Sequence, residues 1–235
     1  MTAEAPVTAD GPRTSARRER TRERLLDAAL ALFAEHGVEA TSIEAICEGA
    51  DFTRGAFYSN FEDKAALIDA LSAREQERAV QQLRVAILEA PWASERCEGG
   101  DVDAATIGRI VTTLLRALTL DPRWGVVNSE LRLRAMRDPR AAAAHAAREA
   151  AVMDAIAGEI SALMARIGVV SLIPEGVFIR LLISGFQTEL ERALLLHASQ
   201  PDGNAASAAD PFGEAAEAAA SWLPTVIDHL TRVEG

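Results

Sequence analysis

Apolar residues recur at helical spacing along most of the chain, and the breaks in that pattern divide it into elements. Leu25, Ala28, Ala29, Leu32 and Phe33 make one stripe of a helix that begins near Ser15. Gly37 ends it as a C-cap, with Val38 placed to fold back on the last turn. Thr41 followed three residues later by Glu44 reads as a capping box, so a second helix is expected to start there, with Ile43, Ile46, Cys47 and Ala50 on its buried face. Gly49 and Asp51 supply turn chemistry before a further start at Thr53. Glu62, Asp63 and Lys64 open a longer helix whose apolar positions, Leu67, Ile68, Leu71, Val80, Leu83 and Ile87, continue towards Pro91.

Beyond a loop at Trp92–Gly100, the periodicity predicts helices over about 102–119, 123–137, 139–167, 174–198 and 212–232. Asp138-Pro139 and Ile173-Pro174 are helix starts, Gly168 and Gly203 lie near ends, and Pro224 should kink or divide the last segment. No stretch shows sustained strand alternation. The fold class is therefore all-α.

The short segment after Thr53 carries the most chemistry. Phe57 and Phe61, four residues apart, point one way into a small core and leave Arg54, Gly55, Ala56, Tyr58, Ser59 and Asn60 on or beside the opposite face. That face is slim, polar and aromatic, and a helix of this kind can enter a major groove where base edges approach closely. Its N-terminus also suits a phosphate oxygen. Two short helices joined by a tight turn result.

The run Phe-Thr-Arg-Gly-Ala-Phe-Tyr-Ser-Asn-Phe-Glu-Asp-Lys-Ala-Ala-Leu, from Phe52 to Leu67, resembles the helix-turn-helix of TetR-family transcriptional regulators. The pattern from Arg22 to Gly37 supports the resemblance, which covers roughly the first third of the chain. One departure is Asp51, where the family usually has Gly; Asp tolerates the left-handed conformation, so the turn is expected to survive. Met1–Thr14, rich in Ala, Pro, Thr and Gly without periodicity, is expected to be a disordered tail. The resemblance implies a DNA-binding domain at 15–64 with its motif at 42–61, and a helical regulatory, ligand-binding and dimerisation domain at 65–235. It further implies that Lys64, the one lysine of the chain, touches a DNA phosphate. Thr41 and Ser42 would clamp the backbone beside it, and Arg54 and Tyr58 would reach phosphate or base edges, with Thr53, Gly55, Ala56, Ser59 and Asn60 completing the surface.

Trp124–Arg140 resembles the regulatory domain found in part of the same family, which implies a helical ligand-binding core and dimerisation through the last two long helices. Phe178, Leu182, Phe186 and Leu190 on one of these, with Trp222, Val226 and Leu230 on the other, are the candidate interface; closing the core of a single subunit is the competing reading.

Composition changes this picture in two places. The chain has 235 residues, 49% of them hydrophobic, which is ample for a core. Its two cysteines, Cys47 and Cys97, lie in unrelated contexts, so a reduced cytoplasmic setting is expected. The segment to Ser15 lacks the apolar core of a signal peptide, and no apolar run approaches a membrane span. The net charge of −11 argues superficially against nucleic acid. Within Arg13–Arg24, however, six arginines face two glutamates, which makes Arg17 and Arg18 part of a candidate phosphate-contacting arm, with a solvated helix end as the bland reading.

Candidate effector contacts are polar or aromatic residues amid apolar helices: Trp92, Trp124, Asn128, Glu130, His145, Phe178 and Gln187. Four histidines without ligand spacing and two distant cysteines give no metal site, and no nucleophile elbow, phosphate-binding loop or other catalytic constellation is present. The expectation is a homodimeric regulator without a cofactor. It would bind a pseudo-palindromic double-stranded operator as a repressor and be released by a small, largely apolar effector. An activator or constitutive regulator with the same head is the alternative, and an α-helical enzyme the remote one.

Overall fold

A computed structural model describes residues 12–89, 110, 113–114, 121–199 and 211–233. The chain divides into two compact units between Ser72 and Ala73. The expected helix at 102–119 lies mostly outside the described residues, as do the loop at 92–100, Gly203, Cys97 and the 1–11 portion of the tail.

The first unit contains α1 (Pro12–His36), α2 (Ile43–Gly49), α3 (Arg54–Tyr58) and the opening turns of α4 (Lys64–Glu89). Leu25, Leu26, Ala29, Leu30 and Phe33 of α1 are buried with Ile46, Phe57, Phe61, Leu67 and Leu71, so each short helix contributes its apolar face to one core. Gly37 ends α1 in the left-handed conformation, at φ 85°, and Val38 turns back into the core at 1% exposure.

The second start differs in register from the capping-box reading. Ser42, not Thr41, is the N-cap of α2, and its Oγ accepts from the Ala45 amide at 3.1 Å. Thr41 is buried instead, and its hydroxyl donates to the Gly37 carbonyl at 2.8 Å and the Leu32 carbonyl at 3.3 Å, tying off the end of α1. Inward packing at position 41 moves the cap one residue along.

In the second unit, α5 (Pro122–Ala135), α6 (Pro139–Ile167), α7 (Glu175–Ala198) and α8 (Pro211–Leu230) enclose a core with the later part of α4. Asp121 and Asp138 cap α5 and α6, each followed by proline at a position where the missing amide costs nothing. Gly168, at φ 69°, ends α6. The chain then forms β1 (Val169–Ser171), which pairs antiparallel with β2 (Thr231–Val233) directly after α8, with Val169 opposite Val233 and Ser171 opposite Thr231. The sequence pattern gave no sign of these strands, because three residues are too few to show alternation. They leave the all-α class intact. Helix α8 also runs through Pro224 as one element, where a division was possible.

Helices α7 and α8 approach closely at Gly185. A methyl group there would lie 2.4 Å from Cη2 of Trp222, whose indole Nε1 donates to Glu189 at 3.2 Å. The ring is rigid and anchored, so it cannot yield as a flexible side chain would. Gly185→Ala should gain about 1 kcal/mol of helix propensity but lose more to overpacking, for a net destabilisation of about 1–2 kcal/mol. Urea denaturation should show a lower midpoint with an unchanged slope.

Candidate nucleic-acid interface and effector cavity

The outward surface of the first unit is set by the turn between α2 and α3. Asp51 adopts φ 58°, the left-handed conformation expected for it. Arg24 donates to the neighbouring Ala50 carbonyl at 2.7 Å and lies 3.9 Å from the Asp51 carboxylate. Thr53 then caps α3, its Oγ1 accepting from the Ala56 amide at 3.2 Å. Phe57 is fully buried, 5.7 Å from the Phe61 ring, and Tyr58 stands edge-on to Phe57 at 5.3 Å with half of its surface exposed.

Burial therefore orients α3. Arg54, Gly55, Tyr58 and Ser59 are exposed, whereas Ala56 and Asn60 are half-buried. Nothing but the Thr53 hydroxyl lies near a methyl group built on Gly55, so the start of the helix is open to close approach. Ser59 and Asn60 turn back on the helix: both donate to the Ala56 carbonyl at 2.8 Å. Thr41 has its side chain inside, so its hydroxyl cannot serve as the expected backbone clamp, while Ser42 remains exposed.

Lys64 donates to the Thr41 carbonyl at 2.8 Å and to the Glu39 carbonyl at 3.4 Å. An ammonium has three donors, so one is left to point outward. Arg18 donates to the Ser59 carbonyl at 3.0 Å, and Arg22 to the Asn60 carbonyl at 3.5 Å with its guanidinium 4.7 Å from the Phe61 ring centre. The side chain of Arg17 is exposed. The basic segment thus braces the end of α3 as well as lending it positive charge.

Arg54 pairs with Glu44 of α2 at 2.8 Å, and its guanidinium carbon lies 5.9 Å from the Tyr58 ring centre. Hydrogen bonding to Tyr58, then the charge of Glu44, holds the guanidinium above its ordinary pKa. Burial, helped by Glu44 and opposed by Arg54, raises the Cys47 thiol above its usual value. The sequence pattern marked Glu44 as a capping-box residue and not as the partner of Arg54, because the spacing of two helices across a turn does not show in linear periodicity.

The second unit holds a cavity of about 180 Å³. Gln76 and Ala79 of α4, Trp124, Gly125, Asn128, Ser129 and Arg132 of α5, and His145, Glu149, Val152, Met153 and Ile156 of α6 line it. Ile183, Phe186, Gln187, Leu190, Glu191 and Leu194 of α7 close it. Four of the seven anticipated ligand residues, Trp124, Asn128, His145 and Gln187, are brought together here. Glu130 and Phe178 do not line it, the latter being a core residue at 2% exposure, and Trp92 lies outside the described residues. The missed residues share helical faces with the found ones: Glu149, Val152 and Ile156 follow His145, and Leu190 and Leu194 follow Gln187, at spacings of three and four.

Two of the charged side chains of this cavity are matched to each other. Arg132 pairs with Glu191, and His145 lies 4.0 Å from Glu149. At the start of α5, burial would raise the Asp121 carboxyl, but hydrogen bonds and charge from Arg123, with Arg78 beyond, hold it below the usual range. Most of the candidate dimer residues also face inward. Phe178 and Phe186 are buried, Leu182, Leu190, Trp222 and Leu230 pack against the same core while partly exposed, and Val226 is half-buried, so these side chains contribute to the core of one subunit. Apolar exposure on α7 lies elsewhere, at Val177, Leu181 and Leu195.

The family model described as "Bacterial regulatory proteins, tetR family" matches residues 25–71, which span the buried face of α1, both helices of the turn and the opening of α4. The HTH-type transcriptional regulator UidR of Escherichia coli K12 is 41% identical over 64 residues, covering 27% of this chain and 33% of that protein. The probable acrEF/envCD operon repressor of the same strain is 44% identical over 57 residues, 24% of this chain and 26% of its own. The chain therefore spans about a third or less of the length of these curated relatives. Similarity of fold extends further: the fatty acid degradation regulator FadR from Bacillus halodurans superposes with a TM-score of 0.64 at 14% identity, over 92% of this chain and 97% of that one. Salmonella enterica GusR gives 0.57 at 23% identity, over 90% and 95%. The aromatic-anchored helix pair lies within the one segment, residues 25–71, that matches the tetR-family model, so the first unit is similar to the corresponding part of TetR-family regulators, and the longer likeness to the solved structures is one of fold.

Proposed function

We propose that the protein is a ligand-responsive, homodimeric DNA-binding regulator acting in the cytoplasm, and that it represses by occupying a pseudo-palindromic operator. The observation that carries this reading is the outward face of α3, where Arg54, Gly55 and Tyr58 stand exposed on a helix fixed from behind by Phe57. Two such heads about 34–36 Å apart, or a multiple of that, would meet successive turns of the major groove. An effector that prefers the misfit spacing would release the operator by population shift. Among the described residues no helix is long and apolar enough to cross a membrane.

The cavity favours an effector-responsive regulator over a constitutive one. Its apolar walls and three carboxamides, Gln76, Asn128 and Gln187, suit an uncharged molecule with an apolar body and a few carbonyl or hydroxyl groups. A charged ligand would have to compete with the Arg132–Glu191 pair or stand uncompensated in a partly desolvated site. For the dimer, Val177, Leu181, Ser184, Thr188 and Leu195 form an exposed stripe on α7 at spacings of three, four and seven, and a second copy is its proposed occupant.

Mobility shift with footprinting on DNA from the upstream intergenic region, across a salt series, tests the central reading: a protected two-fold site of roughly 15–30 base pairs is expected. Tyr58→Ala and Lys64→Ala should each weaken operator binding about tenfold without loss of helix content, and the lysine change should lower the salt slope by about one unit. Wild-type affinity in both would refute the roles given to them. Gln187→Leu should leave operator affinity unchanged but raise the effector concentration needed for release about tenfold. A screen of neutral, cationic and anionic compounds on one hydrocarbon skeleton would identify the effector class, release by ions alone counting against it. Leu181→Glu should shift sedimentation towards the monomer while thermal unfolding of the subunit persists.

A further inference from the structure

We propose that Glu44 sets sequence specificity at the DNA surface by holding Arg54 in one plane for a base edge and withholding it from phosphates. The inference rests on the reading of the first unit as a DNA-binding head. Glu44 occupies the second position of α2 and Arg54 the first of α3, so the 2.8 Å pair bridges the two helices of the motif. Both helices have fixed starts, Ser42 capping one and Thr53 the other. Both side chains are more than half exposed, so burial does not account for the pairing.

The contact is made through Nη1 of Arg54. A guanidinium forms two parallel hydrogen bonds to the O6 and N7 of guanine along one edge; with Nη1 on Glu44, the edge of Nη2 and Nε is the one that could turn to a base, and reaching it would exchange the hydrogen bond to Tyr58 for bonds to the base. A free arginine at the tip of α3 could instead take any phosphate, which carries no sequence information. Arg17 shows the contrast: its exposed side chain lies on the basic segment, where phosphate contact needs no fixed plane. A carboxylate beside the DNA must lower affinity for every sequence, because it opposes the phosphate field. What it can contribute is discrimination, by making the matched base the arrangement that keeps Arg54 paired on one side and bonded on the other.

The experiment uses the full-length protein and a random DNA pool, followed by titration of the selected site and a scrambled duplex. Glu44→Ala should bind scrambled DNA about three- to tenfold more tightly, with a salt slope steeper by about one unit, and its ratio of selected to scrambled affinity should fall about tenfold. In an Arg54→Ala background the same change should leave that ratio within about twofold, since the two residues act as one unit. Glu44→Gln, which keeps the shape and removes the charge, should fall between wild type and Glu44→Ala, and it serves as the test variant if the alanine form does not fold. An unchanged ratio in Glu44→Ala overturns the inference, as does a loss that persists without Arg54, which would mean that Glu44 reads a base itself. Failure of the wild-type protein to enrich any sequence would instead overturn the DNA-binding reading.

Discussion

A helix of five residues cannot hold itself together, and α3 is that short. Nucleation alone costs more than its few internal hydrogen bonds return, so its position depends on tertiary packing. Phe57 is that packing: fully buried, flanked by Phe61 and met edge-on by Tyr58, it fixes both the axis of the helix and its rotation. Replacing it by a small residue would remove on the order of 3–5 kcal/mol and with it the reason for Arg54 and Tyr58 to face outward. The chemistry of the surface depends on one side chain that never touches it.

Basic side chains finish the task at the carbonyl ends. Arg24 meets the Ala50 carbonyl after α2, and Arg18 and Arg22 meet those of Ser59 and Asn60 after α3. Terminal carbonyls of a helix carry partial negative charge and lack helical partners, so a cation placed there stabilises the end and completes its hydrogen bonding. The arginine cluster of α1 therefore has a structural use before any DNA arrives. On the proposed DNA-binding reading, its surplus positive charge would also serve a phosphate backbone, because the helix ends that it braces lie beside the exposed face of α3.

The parts of this arrangement legible in sequence were those with a local cause. Phe57 and Phe61 show the buried side of α3 by spacing alone, Gly37 and Asp51 mark turns by their tolerance of positive φ, and Asp138-Pro139 marks the start of α6 by capping chemistry. What failed to show depends on which neighbour a face meets. Thr41 and Ser42 are both good caps, and only the carbonyls of Leu32 and Gly37, waiting at the end of α1, draw the threonine inward. Phe178 and Phe186 are apolar enough for an interface or a core, and the packing of α6 and α8 around α7 buries both in the core of the subunit. Trp124, Asn128, His145 and Gln187 line one cavity, but the residues beside them become visible only once their helices are known to face each other.

The acidic balance of the whole chain is compatible with the proposed DNA surface once the partners of the acids are followed. Residues 1–64 carry eight basic and twelve acidic side chains, a net of −4. Near the turn, however, Glu44 is paired with Arg54, Asp51 lies by Arg24, and Asp63 accepts from the Ala66 amide at 2.7 Å at the opening of α4. A carboxylate engaged in this way presents a weakened field to an approaching phosphate, while the more distant acids are screened beyond about 8–10 Å at physiological salt. Residual negative charge then acts mainly on sequence-independent attraction, which it reduces for every site alike. On the proposed reading, a head with a net charge of −4 would gain less from phosphates than a basic one, and more of its affinity would come from the base edges proposed for Arg54 and Tyr58.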